Sequence, residues 1–374
     1  MAKKERRQQC YSGIGGQAVL EGVMMRNRNL MAVSVRRPDG EIETAVEECH
    51  GIGEKTVWTK IPLLRGVLSF VDSLSLGLKA TNFSASFYDE EEEEASDAGS
   101  GTPSGDAEED AAGTSGEREG SGSKSAAQAQ KKPKKPKEKK PKTPEQLERE
   151  EKFWDAAIMV IALVLAVLIF IALPSFLTGL LDGYIRNDAV MAILEGLIRL
   201  GVFLGYMLAI SIMKDIRRLY RYHGAEHKCI NCIESGRPLT VEYVMRSSRF
   251  HKRCGSSFII LVVIISIILF FFIRVDNYAQ RLITRILLIP VIAGISFEFL
   301  RYAGRHDNVF VDIISAPGVW LQHLTVHEPD ESMVEVAIAS VEAVFDWRDY
   351  LKRTFGYTEE DIDVMIREGE DIGY

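Results

Sequence analysis

The chain of 374 residues lacks a disulfide framework. Its five cysteines, Cys10, Cys49, Cys229, Cys232 and Cys254, are odd in number and scattered, a usage that fits a reducing compartment. No cleavable export signal is expected, because the basic start MAKKERRQQC leads into a segment too glycine-rich and polar for a signal core. A dinucleotide fingerprint is missing too. The glycine-rich stretch GIGGQAVLEGVMMR has the wrong spacing, follows no expected strand and carries no Lys-Ser/Thr of a phosphate loop. Residues 89–151 almost lack apolar side chains, and the lysine-rich end of that stretch, KKPKKPKEKKPK, has no aromatic platform beside it. Nucleic-acid binding is therefore not expected.

Long apolar runs are what the chain does have. Residues 156–181 carry no charge before Asp182, and residues 256–273 read SSFIILVVIISIILFFFI. Each is long enough to cross a hydrocarbon core of about 30 Å. Residues 190–213, with Glu195 and Arg199 inside, and 286–303, with Pro290, Glu298 and Arg301 inside, are the second and fourth candidates. Ten Lys/Arg lie in 214–254, against only Arg186 in 177–188. By the positive-inside rule this places both termini and the 214–255 loop on the cytoplasmic side.

The expected architecture is an α-helical membrane protein with about four transmembrane helices. Residues 1–88 form a small α+β cytosolic module, with a β-hairpin around Pro38-Asp39-Gly40 and an interfacial or buried helix over 61–80. Residues 89–150 form a disordered insert: an acidic run, then Gly/Ser/Ala, then Lys-Pro repeats. Such a composition buries too little apolar area to offset its ordering entropy. The four spans and the cytosolic loop fill 151–305. Residues 306–374 form a helical cytosolic segment, including an amphipathic helix over 331–345.

Two segments stand out chemically. In GIGGQAVLEGVMMR, Glu21 sits among apolar residues, where an ionised carboxylate needs a partner. Arg26 is one candidate partner, and a catalytic acid is the other reading of Glu21. In RYHGAEHKCINCIESG, His223 and His227 fall one turn apart on one helix face, the spacing that chelates a single zinc ion. Glu226 between them completes H-x-x-E-H, the order in which inverted zincins use the Glu as a base. Glu298 is the favoured third ligand, with Glu242, His251, Cys254 and the Cys229/Cys232 pair as alternatives. Gly224 inside this helix costs about 1 kcal/mol relative to alanine. Inside the second span, Glu195 and Arg199 are spaced for an i,i+4 ion pair.

With these segments in place, the chain resembles the bacterial YqhQ-like family of uncharacterised multi-pass membrane proteins. GGQAVLEGVMMR, MAVSVRRPDGEI, PLLRGV, YHGAEHK, RCGSSF and SAPGVWLQHLT followed by EPD carry the resemblance, over nearly everything outside 89–151. The family is described as predicted metal-dependent enzymes, and the resemblance carries that description onto His223, Glu226 and His227. The expectation is a protein of the bacterial cytoplasmic membrane with a divalent metal, zinc by preference, at its cytosolic face. It would be a hydrolase of a peptide or lipid-linked substrate. A non-enzymatic scaffold binding a cytosolic protein is the alternative, and an ion-coupled transporter using Glu195, Arg199 and Glu298 is a third.

Overall fold

The computed structural model of the protein describes residues 10–49, 61–98, 144–181, 183–185, 187–273, 277–303, 306 and 308–368. Strands β1 (Ile14–Val19), β2 (Gly22–Asn27), β3 (Leu30–Arg36) and β4 (Ile42–Glu48) form an antiparallel meander in that order. The expected β3–β4 hairpin is present, with Gly40 at φ 91° in its turn. The glycine-rich start is more than a tight turn. It forms the β1–β2 hairpin, with Leu20 and Glu21 between Val19 and Gly22.

Alternation along the strands gives this sheet two apolar faces. Ile14, Val23, Met25 and Ala32 belong to one core. Val19, Met24, Met31, Val33 and Val35 belong to the other, which is closed by Leu76, Ala80 and Phe83 of helix α1 (Pro62–Ala98). Helix α1 includes the expected 61–80 helix but continues through residues 89–98, which composition alone assigns to the insert. Residues 99–143, the rest of that insert, lie outside the described residues.

The chain divides into two compact units, residues 94–165 and the remainder. The described part of the smaller one is the end of α1 and most of helix α2 (Pro144–Val167). A π-helical turn, Leu168–Ala172, carries α2 into α3 (Leu173–Gly179). In order there follow α4 (Asp188–Ser211), α5 (Lys214–Glu234), α6 (Val241–Arg246), α7 (Gly255–Phe272), α8 (Tyr278–Ala303), α9 (Val309–Thr325), α10 (Glu331–Val344), α11 (Trp347–Phe355) and α12 (Glu359–Glu368). Among the described residues four stretches are long and apolar enough to cross a membrane: Ala156–Gly179, Val190–Ser211, Gly255–Phe272 and Ala279–Ala303. They coincide with the four apolar runs read from sequence.

The acid inside α4 is not merely paired along its own helix. Arg199 donates to Glu195 at 3.1 Å, and Arg285 of α8 donates to the same carboxylate at 2.6 Å. All three side chains are buried, and both guanidinium groups lie over the Phe270 ring. Removing the carboxylate would strand two buried cations. Glu195→Ala is therefore expected to cost about 3–5 kcal/mol, seen as a large drop in the thermal midpoint of the detergent-solubilised protein. A midpoint unchanged from wild type would show that the arginines find another counter-charge.

Candidate metal centre

Helix α5 carries the centre, and its glycine explains how. A Cβ on Gly224 would stand 1.9 Å from the His327 carbonyl oxygen. The 326–330 segment thus crosses α5 in direct backbone contact, with His327 N–H donating to the Tyr220 carbonyl at 2.9 Å. That crossing puts the end of α9 beside His223, whose Nδ1 lies 3.1 Å from the Thr325 carbonyl oxygen. One turn on, His227 Nδ1 lies 2.6 Å from the Arg249 carbonyl oxygen. A carbonyl oxygen can only accept, so each Nδ1 must carry a proton, and Nε2 is the nitrogen left to ligate. Metal-binding histidines are fixed in this way, with the distal nitrogen tied down and the ligating one free.

The two rings are 4.4 Å apart, and the third member of the cluster is Cys254. His223 Nε2 is 3.1 Å from Cys254 Sγ, and one ligand atom from each of the three residues falls within 4.8 Å of the others. Cys254 caps the N-terminus of α7 and accepts from the Ser256 backbone N–H at 3.3 Å. Burial opposes ionisation of its thiol, yet His223 and His227 beside it hold the thiol well below its usual value. Burial likewise works against a charged His223, but the facing Cys254 raises it to about 9. Two imidazoles and a thiolate with set tautomers are a donor set for zinc, and three protein ligands leave one position for water or substrate.

Zinc loading therefore has a proton signature. At pH 7 the metal-free centre holds His223 as imidazolium, so binding is expected to release at least that proton. Affinity should rise with pH and level off above about 9, where that proton is already gone. Titration calorimetry in two buffers of different ionisation enthalpy counts the protons. No proton released at pH 7 would show that His223 is neutral in the metal-free protein.

Glu226 lies beside the cluster rather than in it. Its side chain is buried, its Oε2 has no hydrogen-bond partner, and the Gly16 backbone N–H of β1 bonds to the carboxylate. Burial pushes its carboxyl up, against the pull of His223 and His227. A Cβ on Gly16 would lie 3.1 Å from Glu226 Cδ and 2.5 Å from the Met24 carbonyl oxygen. The glycine-rich start and the His/Glu segment are thus two halves of one site.

The other residues singled out from sequence lie elsewhere. Glu298 is held by Arg65 of α1, with Arg65 Nε donating at 2.9 Å, and stands outside the His/Cys cluster. Glu21 pairs with Arg218 and accepts from the Tyr222 hydroxyl at 3.1 Å. Arg26, the candidate partner, faces Asp72 instead. Cys229 and Cys232 are core residues, and Glu242 pairs with Arg246 at the surface. His251 Nε2 lies 3.6 Å from Glu234, burial holds the imidazole below its usual pKa, and its backbone hydrogen-bonds to Gln322.

Sequence reasoning missed the residues that hold the His/Cys cluster in place. Lys228 is buried and donates to the carbonyls of Met245 and Ser247 at 2.7 and 3.0 Å. Asn231 donates to those of Ser248 and Phe250 at 2.6 and 3.0 Å. Together they fix the loop whose Arg249 carbonyl orients His227. Gln322 of α9 ties His251 to Ser257 at the start of α7, beside Cys254. A polar residue every third or fourth position along an otherwise buried helix face was the available signal.

Residues 61–347 match the family described as "Protein of unknown function (DUF1385)". The chain is also 32% identical over 335 residues to a protein of Bacillus subtilis (strain 168) named "Uncharacterized protein YqhQ". That alignment covers 87% of this chain and 90% of the relative. The chain belongs to this YqhQ-like, DUF1385 family. No solved structure matches it.

Proposed function

We propose that this is a multi-pass protein of the bacterial cytoplasmic membrane, with both termini in the cytoplasm and a metal-dependent hydrolytic site at the cytosolic face. Four apolar helices and the clustering of Lys/Arg in 214–254 support the placement. One observation carries the metal: both histidines have Nδ1 fixed on a backbone carbonyl while their ring edges converge with Cys254 Sγ. His223, His227 and Cys254 would hold the ion. When bound, zinc supplies Lewis acidity and brings water ionisation toward neutral pH. Glu226, with a raised pKa and an unpartnered oxygen, is placed to take a proton from water and pass it to a leaving group.

The test is metal content, by mass spectrometry, of untagged detergent-purified protein. About one zinc per chain is expected in the wild type and in Glu226→Gln. Glu226→Gln should hydrolyse no substrate that the wild type cleaves. A folded, metal-free wild type purified without chelators would end the reading.

The 3.1 Å approach of His223 Nε2 to Cys254 Sγ at a helix N-terminus favours a second reading, a thiol nucleophile paired with a histidine base. In that case metal is absent and iodoacetamide modifies Cys254 rapidly near pH 7. In the metal reading, zinc protects the thiol and a chelator exposes it.

A further inference from the structure

Strand β1 is the edge of the sheet, paired only with β2. Its alternate residues Ile14, Gly16 and Ala18 turn their backbone groups away from β2. Ile14 N–H goes to the Ser12 hydroxyl at 3.4 Å, and Gly16 N–H goes to Glu226. The carbonyls of these three residues and the N–H of Ala18 bond to no described residue. Gly15, Gly16 and Gln17 are exposed, and a Cβ on Gly15 would meet nothing within 4 Å. Helix α1 bounds this space, with Phe70 stacked on Phe258 of α7 at 5.4 Å and Gly77 against the Gln17 side chain.

Edge strands are normally blunted by charge, proline, a bulge or a covering element. Helix α5 packs along β1, but Gly15, Gly16 and Gln17 of this edge stay exposed, and its described residues carry no charge, proline or bulge. It has two glycines instead, and its middle N–H is bonded to the candidate base. A row of outward carbonyls with an intervening N–H complements an extended polypeptide backbone, whereas an acyl chain offers it no donors. We infer that β1 is the substrate-binding strand, and that the protein takes an extended, unfolded polypeptide segment by strand addition beside Glu226 and the His223/His227/Cys254 cluster. The inference rests on the metal-hydrolase reading for what happens to the peptide, and on the free edge alone for its docking. Glycine at 15 and 16 keeps side chains out of the way of an incoming strand. Specificity would then come from pockets for its alternate side chains.

The test uses full-length Glu226→Gln protein in detergent, with its zinc content measured in the same sample, and fluorescein-labelled β-casein as a chain without stable structure. Fluorescence anisotropy gives the affinity, and hydrogen–deuterium exchange gives the protection of residues 14–19. Expected are binding, slowed exchange in β1, and roughly tenfold weaker binding in Ala18→Pro at unchanged zinc content. Proline there removes an outward N–H and no ladder bond to β2. Should Ala18→Pro misfold, the exchange measurement on the Ala18-containing protein decides alone. Zinc-loaded protein that ignores casein, or binds it without slowing β1 exchange, overturns strand docking and leaves the metal site standing. Casein binding with β1 protection in zinc-free protein supports docking and sinks the hydrolase reading.

Discussion

Gly224→Ala is expected to destabilise the protein by more than about 3 kcal/mol, the range of severe backbone clashes and overpacking. Helix propensity alone gives the opposite sign, since alanine in a helix interior is favoured by about 1 kcal/mol over glycine. The clash wins because the atom met at 1.9 Å is the His327 carbonyl oxygen, a backbone group pinned by its own N–H to Tyr220 and by Pro329 alongside. Relief would require the 326–330 segment to lift away from α5. Thr325 would then leave His223 Nδ1, so lost metal should accompany the lost stability. Thermal unfolding and zinc content of Gly224→Ala beside wild type measure both. A variant at least as stable as wild type, with full metal, would mean that the close crossing does not exist.

Cys254→Ser is expected to lower zinc affinity by several orders of magnitude while leaving the fold intact. Serine keeps the capping geometry at the start of α7 and removes the thiolate, the only anionic member of the donor set. Thiolate ligation is a large part of zinc's affinity for such sites. Glu298→Gln is the informative partner. Glu298 is engaged by Arg65 outside the cluster, so this variant should keep its metal and lose only the α1–α8 ion pair. Competition against a chromogenic zinc chelator separates the two. Retained affinity in Cys254→Ser with loss in Glu298→Gln would restore the ligand favoured from sequence.

The sequence made the four apolar helices legible because length and charge-free composition are enough to specify them. The β3–β4 hairpin was legible through alternation around Pro38-Asp39-Gly40. The β1–β2 hairpin was not. Its glycines hide the alternation, since Gly15, Gly16 and Gly22 contribute no side chain to either face. The histidine pair could be read because i,i+4 spacing is a local property of one helix. For the third member the sequence favoured Glu298, yet Glu298 and Cys254 both sit at ends of apolar helices and only tertiary packing distinguishes them. Arg65 engages Glu298, from a helix more than two hundred residues away in the chain. Gly224 carried a misleading sign: a cost within an isolated helix, and a requirement once another backbone lies across it.

Helix α1 has a mechanical consequence. It is a rod pinned near its start to α8, where Gly66 meets Gly294 and Arg65 holds Glu298. Eleven residues farther along, about 16 Å at 1.5 Å per residue, Gly77 rests on Gln17 of β1. Such a rod turns inclination into displacement: a tilt of about 5° at the pinned end moves Gly77 by about 1.4 Å over that length. The exposed border of the sheet is therefore geared to the slope of α8.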